Sequence, residues 1–315
     1  MERRFSWVQR TPTSGRIITE AGHAVAGYDW ATEGGRHPAV HPLRHHTGTG
    51  VLTNYGPFDH TWHYGLWWSW KLINGVVFWE NTELERQGGY AIDEHRAGED
   101  RDGCVVIEQV ARLRPHAEPD GAWMVERRRL SARPNVPGAD EIAGGWALDW
   151  DLHWEALVDC ELDVQPRLSE ERWGGYMGLC YRAARSLAFD EFIFNSEQQQ
   201  GGDFDMQQLD SCHARPARWV AYGGKLDGLA TGGADVGGVA LLAHEQNHDQ
   251  PAPWYAWSAG PNKDSFGFVG ASFLQDRAMT LRRGESLKLR YRVIPFAGRP
   301  ASGAIEAAWQ AFAKT

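Results

Sequence analysis

The sequence predicts an all-β protein, a large antiparallel β-sandwich with one short helix at its C-terminal end. Three observations predict it. In Trp146–Leu157, the residues Trp146, Leu148, Trp150, Leu152 and Trp154 alternate with Ala147, Asp149, Asp151, His153 and Glu155. A strict period of two puts these sets on opposite faces of a sheet. The 36 glycines and 15 prolines are spread along the chain rather than gathered in a linker, so turn residues separate many short apolar runs. Helical spacing is scarce outside the tail, where Ile305, Ala308, Trp309 and Phe312 recur behind Ser302.

Further elements follow in chain order. Asp59–Trp70 has room for a short helical turn. Gly103–Val110 reads as a strand, and Gly237–Ala243 as a more fully buried one. In Ser286–Val293, Leu287, Leu289, Tyr291 and Val293 share one face. Ser302–Phe312 reads as a terminal helix capped by Ser302 and docked on a sheet. Loops are expected at Ala97–Gly103, Arg133–Gly144, Gln198–Asp205, Ala230–Val236 and Glu245–Pro253. No repeat or composition shift marks a boundary, so residues 1–315 read as one β-sandwich domain.

Composition excludes some classes of partner. The 41 acidic against 32 basic residues leave a net charge of −9. That disfavours nonspecific nucleic-acid binding, which needs phosphate neutralisation, and anionic membranes. No apolar run approaches the ~18 residues of a membrane helix, and the basic start lacks a secretory h-region. Cys104, Cys160, Cys180 and Cys212 are far apart and form no CxxC pair, which suits a reduced cytoplasmic setting.

Chemistry concentrates between residues 37 and 79. Six of the thirteen histidines lie from His37 to His63, and five of the sixteen tryptophans from Trp62 to Trp79. Imidazoles act as acid/base groups or metal ligands near neutrality, and indoles offer broad apolar faces with one donor each. Together they suggest an aromatic-walled pocket for a sugar. On a helical turn His60 and His63 would share a face, and Asp59 could orient one of them. Arg44 offers a fork of donors beside His41. The polar face Asp149, Asp151, His153 and Glu155 could line up carboxylates with an imidazole, though a solvent face is the plainer reading. A polar and aromatic loop with His244, Asn247, His248 and Trp254 follows a buried strand. No phosphate loop, dinucleotide fingerprint or nucleophile elbow is present.

The segments HPLR, DHTWHYG, Asn74–Trp79, GGYMGLCYR, Trp219–Gly228, HEQNHDQPAPWY and RGESLKLRYRV resemble, in that order, a bacterial family labelled DUF6807, also called PmoA-like or methane oxygenase PmoA. The resemblance runs from about Pro38 to Gly298. It implies a role in sugar catabolism, and the closing strand pattern is similar, by analogy, to sandwiches of the galactose-mutarotase type. The family's DHPHHRG becomes Asp59–Gly65 here, with Trp62 for its middle histidine and Tyr64 for its arginine. His41, Arg44, Arg182, His244, Asn247 and Trp254 match its other polar positions.

The expected function is carbohydrate processing by His and carboxylate acid–base chemistry on a glycoside or an oxidised (3-keto) glycoside, by elimination, hydrolysis-type cleavage or epimerisation. His60, His63, Asp59, Arg44 and Arg182 are the expected catalytic residues. His41, Trp67, Trp68, Trp70, His244, Asn247 and Trp254 are the expected substrate contacts. Two alternatives stay open. One is an enzyme using a divalent metal ion held by His60, His63 and a third group such as His41, His244 or His153, including an oxygenase. The other is a noncatalytic carbohydrate-binding protein. The expected partner is a small sugar or glycoside, with no nucleic acid or membrane, and an assembly of identical chains is compatible with the sequence.

Overall fold

The computed structural model describes residues 3–80, 83, 86–138, 140–197, 206–227, 235–260 and 266–315. The loop expected at 198–205 and most of the one at 230–236 lie outside these residues. The strands in chain order begin with β1 (Phe5–Thr11), β2 (Ser14–Thr19), β3 (Ala24–Asp29), β4 (Ala39–Leu43), β5 (Leu66–Ser69), β6 (Leu72–Ile73) and β7 (Val76–Val77). There follow β8 (Gly88–Glu99), β9 (Val105–Pro115), β10 (Met124–Arg133), β11 (Ala147–Ala156), β12 (Cys160–Asp163), β13 (Gly178–Arg182) and β14 (Phe192–Asn195). The last are β15 (Arg215–Pro216), β16 (Trp219–Lys225), β17 (Val236–Ala243), β18 (Pro253–Trp257), β19 (Phe268–Ala271), β20 (Met279–Leu281) and β21 (Ser286–Ala297). The helices are α1 (Met206–Cys212) and α2 (Ser302–Ala313).

Among the described residues these strands form two large sheets and a small one. The first runs β1-β2-β3-β4-β5-β13-β19-β18-β15, and the second β14-β16-β17-β21-β11-β10-β9-β8. A four-stranded sheet, β20-β12-β6-β7, completes the set. The pairings between these strands are antiparallel. Across β11 and β21, for example, Trp150 faces Tyr291 and Leu152 faces Leu289.

The alternation in β11 is realised as expected. Leu148, Trp150, Leu152 and Trp154 are buried. The opposite face is tied by cross-strand ion pairs, Asp149 to Arg292 and Arg133, Asp151 to Arg290 and Glu155 to Arg127. The carboxylate row is thus a charge-paired sheet face. The tail is a helix, but its N-cap is Ala301 with no side-chain cap bond, so Ser302 opens the helix instead of capping it. All four cysteines are buried.

Three apolar layers result. The largest gathers the inward residues of both large sheets, with Trp68, Trp70 and Trp154 at its centre. A second packs Ile305, Ala308 and Phe312 of α2 on Leu242, Ile294 and Phe296. The third holds Trp67, Cys180, Tyr255 and Phe268, together with Tyr64 and Trp79. The first four belong to the neighbouring strands β5, β13, β18 and β19. Their chain neighbours Trp68, Leu179, Trp254 and Val269 all sit in the large core. Strand alternation therefore builds two apolar layers on opposite faces of the nine-stranded sheet.

Candidate active site

The third layer floors a cavity of about 390 Å³, lined by His60, Trp62, His63, Trp79, Glu80, Trp173, Tyr176, Tyr255, Trp257, Phe266 and Phe268. Its size and mostly apolar wall with a few polar groups are those of a small-molecule site. Aromatic rings meet at angles around it. Trp79 lies 4.8 Å from Tyr176 and 6.2 Å from His63 between ring centroids. Tyr255 and Trp257, two apart on β18, present rings only 10° from parallel.

His60 and His63 come together through a tight turn, not a helix. The backbone N–H of His63 donates to the His60 carbonyl at 3.0 Å, and the imidazoles stack with centroids 4.7 Å apart. Gly65 then turns the chain into β5 at φ +82°, where a Cβ would lie 2.9 Å from the Val40 carbonyl oxygen. Glycine alone suits that left-handed, close-packed position. The Gly65 carbonyl accepts from the Arg182 backbone N–H at 2.7 Å. That bond brings the end of β13 alongside the turn.

Arg182 joins the turn residues into one chain. Its Nη2 donates to Asp59 Oδ2 at 2.6 Å, and its Nη1 lies 3.2 Å from His63 Nδ1. The guanidinium also sits 3.8 Å from the centre of the Phe266 ring. A guanidinium only donates, so His63 Nδ1 accepts and the ring proton is on Nε2. His60 Nδ1 lies 3.1 Å from Asp59 Oδ2. A carboxylate only accepts, so His60 Nδ1 donates and Nε2 remains as the basic nitrogen. Two adjacent imidazoles thus hold opposite tautomers, a neutral donor at His63 and a base at His60.

The electrostatics agree. Burial, then the charge of Arg182, holds the His63 pKa well below the ordinary 6.5. Burial also lowers His60, while the Asp59 contact and charge oppose it. Burial alone would raise Asp59, but the Arg182 bond and charge and the His60 bond outweigh it and keep the carboxyl below its usual value.

A second polar cluster lies in the same wall. Lys71 Nζ donates to Glu80 Oε1 and to the Tyr176 hydroxyl, and that hydroxyl donates to Glu80 Oε1 at 2.6 Å. Burial depresses the Lys71 pKa against the pull of Glu80. Burial and Glu80 both push the Tyr176 phenol far above its ordinary value. Sequence reading missed Lys71 and Glu80. Their only signal was a lysine and a glutamate flanking the aromatic-rich Asn74–Trp79 segment.

Several expected site residues lie elsewhere. Trp68 and Trp70 are inside the large core, because residues 66, 68 and 70 share the face opposite Trp67. Trp67 is buried beneath the cavity, its ring 5.3 Å from His63. Trp254 also faces the core and donates from Nε1 to the Ala217 carbonyl at 2.8 Å. His41 pairs with Thr53 Oγ1 at 2.9 Å, and the Arg44 carbonyl accepts from the Trp146 indole. Neither residue lines the cavity. His244 and Asn247 hold Arg290 beside α2, with His244 Nε2 3.0 Å from Arg290 Nη1 and Asn247 Oδ1 accepting from the Arg290 backbone N–H at 2.7 Å. These two are supports of the β21–α2 packing and no part of this wall.

The ligand set His60, His63 and His41 is not assembled. Among the described residues no three His, Cys, Asp or Glu side chains group to hold a metal ion. His41 is committed to Thr53, His244 to Arg290, and His153 faces Lys288 and Arg127 on the other large sheet. A guanidinium 3.2 Å from His63 Nδ1 opposes a cation there. The donors present do not fit a three-ligand centre.

Comparison with known proteins gives one family match. The profile of a family of unknown function, DUF6807, matches residues 17–310. No curated protein sequence matches the chain. Among solved structures the chain is similar to YeaD of Salmonella typhimurium, which carries a provisional mutarotase assignment, at 9% identity and TM-score 0.43 over 94% of each chain. It is also similar to galactose 1-epimerase of Lactobacillus acidophilus, at 9% identity and TM-score 0.39 over 95% of this chain and 100% of that one. An α-galactosidase of Lactobacillus brevis matches at 8% identity and TM-score 0.36, over 95% of this chain and 40% of that one. No helix among the described residues is long and apolar enough to cross a membrane.

Proposed function

The chain belongs to the DUF6807 family, and from that premise and the cavity we propose that it is a carbohydrate-processing enzyme that removes a proton beside the carbonyl of an oxidised (3-keto) glycoside. The observation that carries the reading is the Asp59–His60 and Arg182–His63 chain on the cavity wall. A ketone acidifies the neighbouring C–H, and His60 Nε2, oriented through Nδ1 by Asp59, takes that proton. Negative charge then develops on the ketone oxygen. The Nε2–H of His63, held as donor by Arg182, hydrogen-bonds that oxygen. The neutral imidazole is kept from becoming an acid strong enough to protonate it, because burial and Arg182 disfavour its cationic form.

The aromatic wall supports a sugar as ligand. Trp62, Trp79, Trp173 and Trp257 line the cavity and offer flat apolar faces for sugar C–H groups. Glu80, on the same wall, supplies an acceptor for hydroxyls.

The test is deuterium exchange. The protein is incubated with a 3-keto glucoside in D₂O, and the C2 proton is followed by NMR. Exchange or turnover is expected with the unaltered protein and should be abolished in the double variant His60→Ala, His63→Ala with the fold retained by circular dichroism. Full activity in that folded variant sinks the assignment.

A further inference from the structure

Proton abstraction alone suits either epimerisation or cleavage of the glycoside, and these differ in one requirement. Epimerisation returns a proton to carbon. Cleavage by β-elimination must also discharge an alkoxide, a poor leaving group that needs a proton of its own. The cavity contains a second proton-handling centre, unused by the chemistry of His60 and His63. It is Tyr176, whose hydroxyl is held between Glu80 and Lys71. Lys71 itself is buried behind the wall, its side chain 7% exposed. The Trp79 ring neighbours both centres, its centroid 6.2 Å from that of His63 and 4.8 Å from that of Tyr176. His60, His63, Glu80 and Tyr176 all line the same cavity of about 390 Å³, so both centres serve one ligand-sized space.

We propose that Tyr176 is the proton donor to the departing glycosidic oxygen, with Lys71 and Glu80 holding it, so that this site carries out β-elimination. The inference rests on the proton-abstraction reading above. The step balances as follows. His60 Nε2 takes the C2 proton, and the electron pair moves onto the C3 oxygen as an enolate. The enolate collapses, re-forming the carbonyl and making a C1–C2 double bond as the C1–O bond breaks. The leaving oxygen takes the C1–O electron pair and the Tyr176 phenolic proton. Lys71 passes an ammonium proton to the phenolate, and solvent exchange resets Lys71 and His60. No oxidant or reductant is consumed.

The environment suits this order. Burial keeps the phenol protonated until an alkoxide, a stronger base, forms beside it. Burial also lowers the Lys71 pKa, which makes this ammonium readier to give up a proton than an exposed one.

The test is Tyr176→Phe, read in two ways with two substrates. C2 exchange in D₂O reports the base. Release of alcohol from a methyl 3-keto glucoside, compared with release from a nitrophenyl one, reports the acid. C2 exchange is expected to persist, and to rise where the enolate that cannot collapse returns to substrate, which also shows that the variant folds, while methanol release falls about 10²–10⁴-fold, the usual worth of general acid catalysis. Nitrophenol leaves without a proton, so its release is expected to fall less than about tenfold. Methanol release at the unaltered rate, equal slowing of both leaving groups, or loss of exchange along with release each overturns the assignment of Tyr176. These outcomes leave the reading of His60 standing wherever the unaltered protein exchanges C2. An unaltered protein that neither exchanges the C2 proton nor releases alcohol overturns that reading, and the inference with it.

Discussion

Asp59, His60, His63 and Arg182 form a unit whose parts set one another's protonation. Burial lowers His60 below 6.5, and Asp59 works against that shift. A base with a depressed pKa stays unprotonated down to that lower pH. Turnover is therefore expected to be flat from neutrality to pH 6.5 and to fall only as pH drops through the lowered value. Removing the Asp59 charge removes the influence that raises His60. Asp59→Asn should then move the acid limb to lower pH as well as reduce turnover through lost orientation, both read from a pH–rate profile. A limb moving to higher pH would refute this account of the pair. Three of the four residues were legible in the sequence, because Asp59, His60 and His63 are near neighbours. Arg182 was reachable only through its place in a family-like motif, since its contact with Asp59 spans 123 positions.

The nine-stranded sheet assigns roles by the parity of each position. Trp68 on β5 is fully buried between the large sheets, against Trp154 at 4.7 Å. Trp257 on β18 lines the cavity from the opposite face. Trp68→Ala is expected to cost about 3–5 kcal/mol, the usual penalty for emptying a large aromatic from a core. Trp257→Ala should cost less stability and weaken sugar binding instead. Urea unfolding and ligand titration on both variants check the contrast, and equal losses of stability would contradict the two-face assignment. The alternation of residues 66 to 70 is visible in the sequence as a pattern. Grouping Trp67, Trp68 and Trp70 as one set of contacts follows the density of indoles and overlooks their parity. The same holds for Trp254 against Tyr255 and Trp257. Within Asp59–Trp70 the expected turn is present as one i to i+3 bond from His63 to the His60 carbonyl, and β5 claims the second half of the segment for the sheet.

Across the whole molecule, several histidines are buried as neutral groups. Burial lowers His37 to about 3, and burial with Arg16 and Arg44 nearby lowers His41 to about 4. Between pH 6.5 and those values the unfolded chain takes up protons that the folded chain refuses, so stability falls as pH falls through that window and is level above it. The urea midpoint is expected to drop from pH 7 to pH 5, and less steeply in His37→Phe. Equal slopes would show that His37 is not held neutral by its place between Tyr64 and Tyr90. The sequence by itself determined the β architecture, the terminal helix and the histidine turn, because period, turn residues and short spacing are local quantities. Only the tertiary structure decided which tryptophans are core and which are wall, that Arg182 meets His63, and that the Lys71, Glu80 and Tyr176 cluster stands at the same cavity. Alternation tells which residues share a face, but not what covers that face. The Tyr176–Glu80 contact, 96 positions apart, exists only because β13 pairs with β5 in the folded sheet.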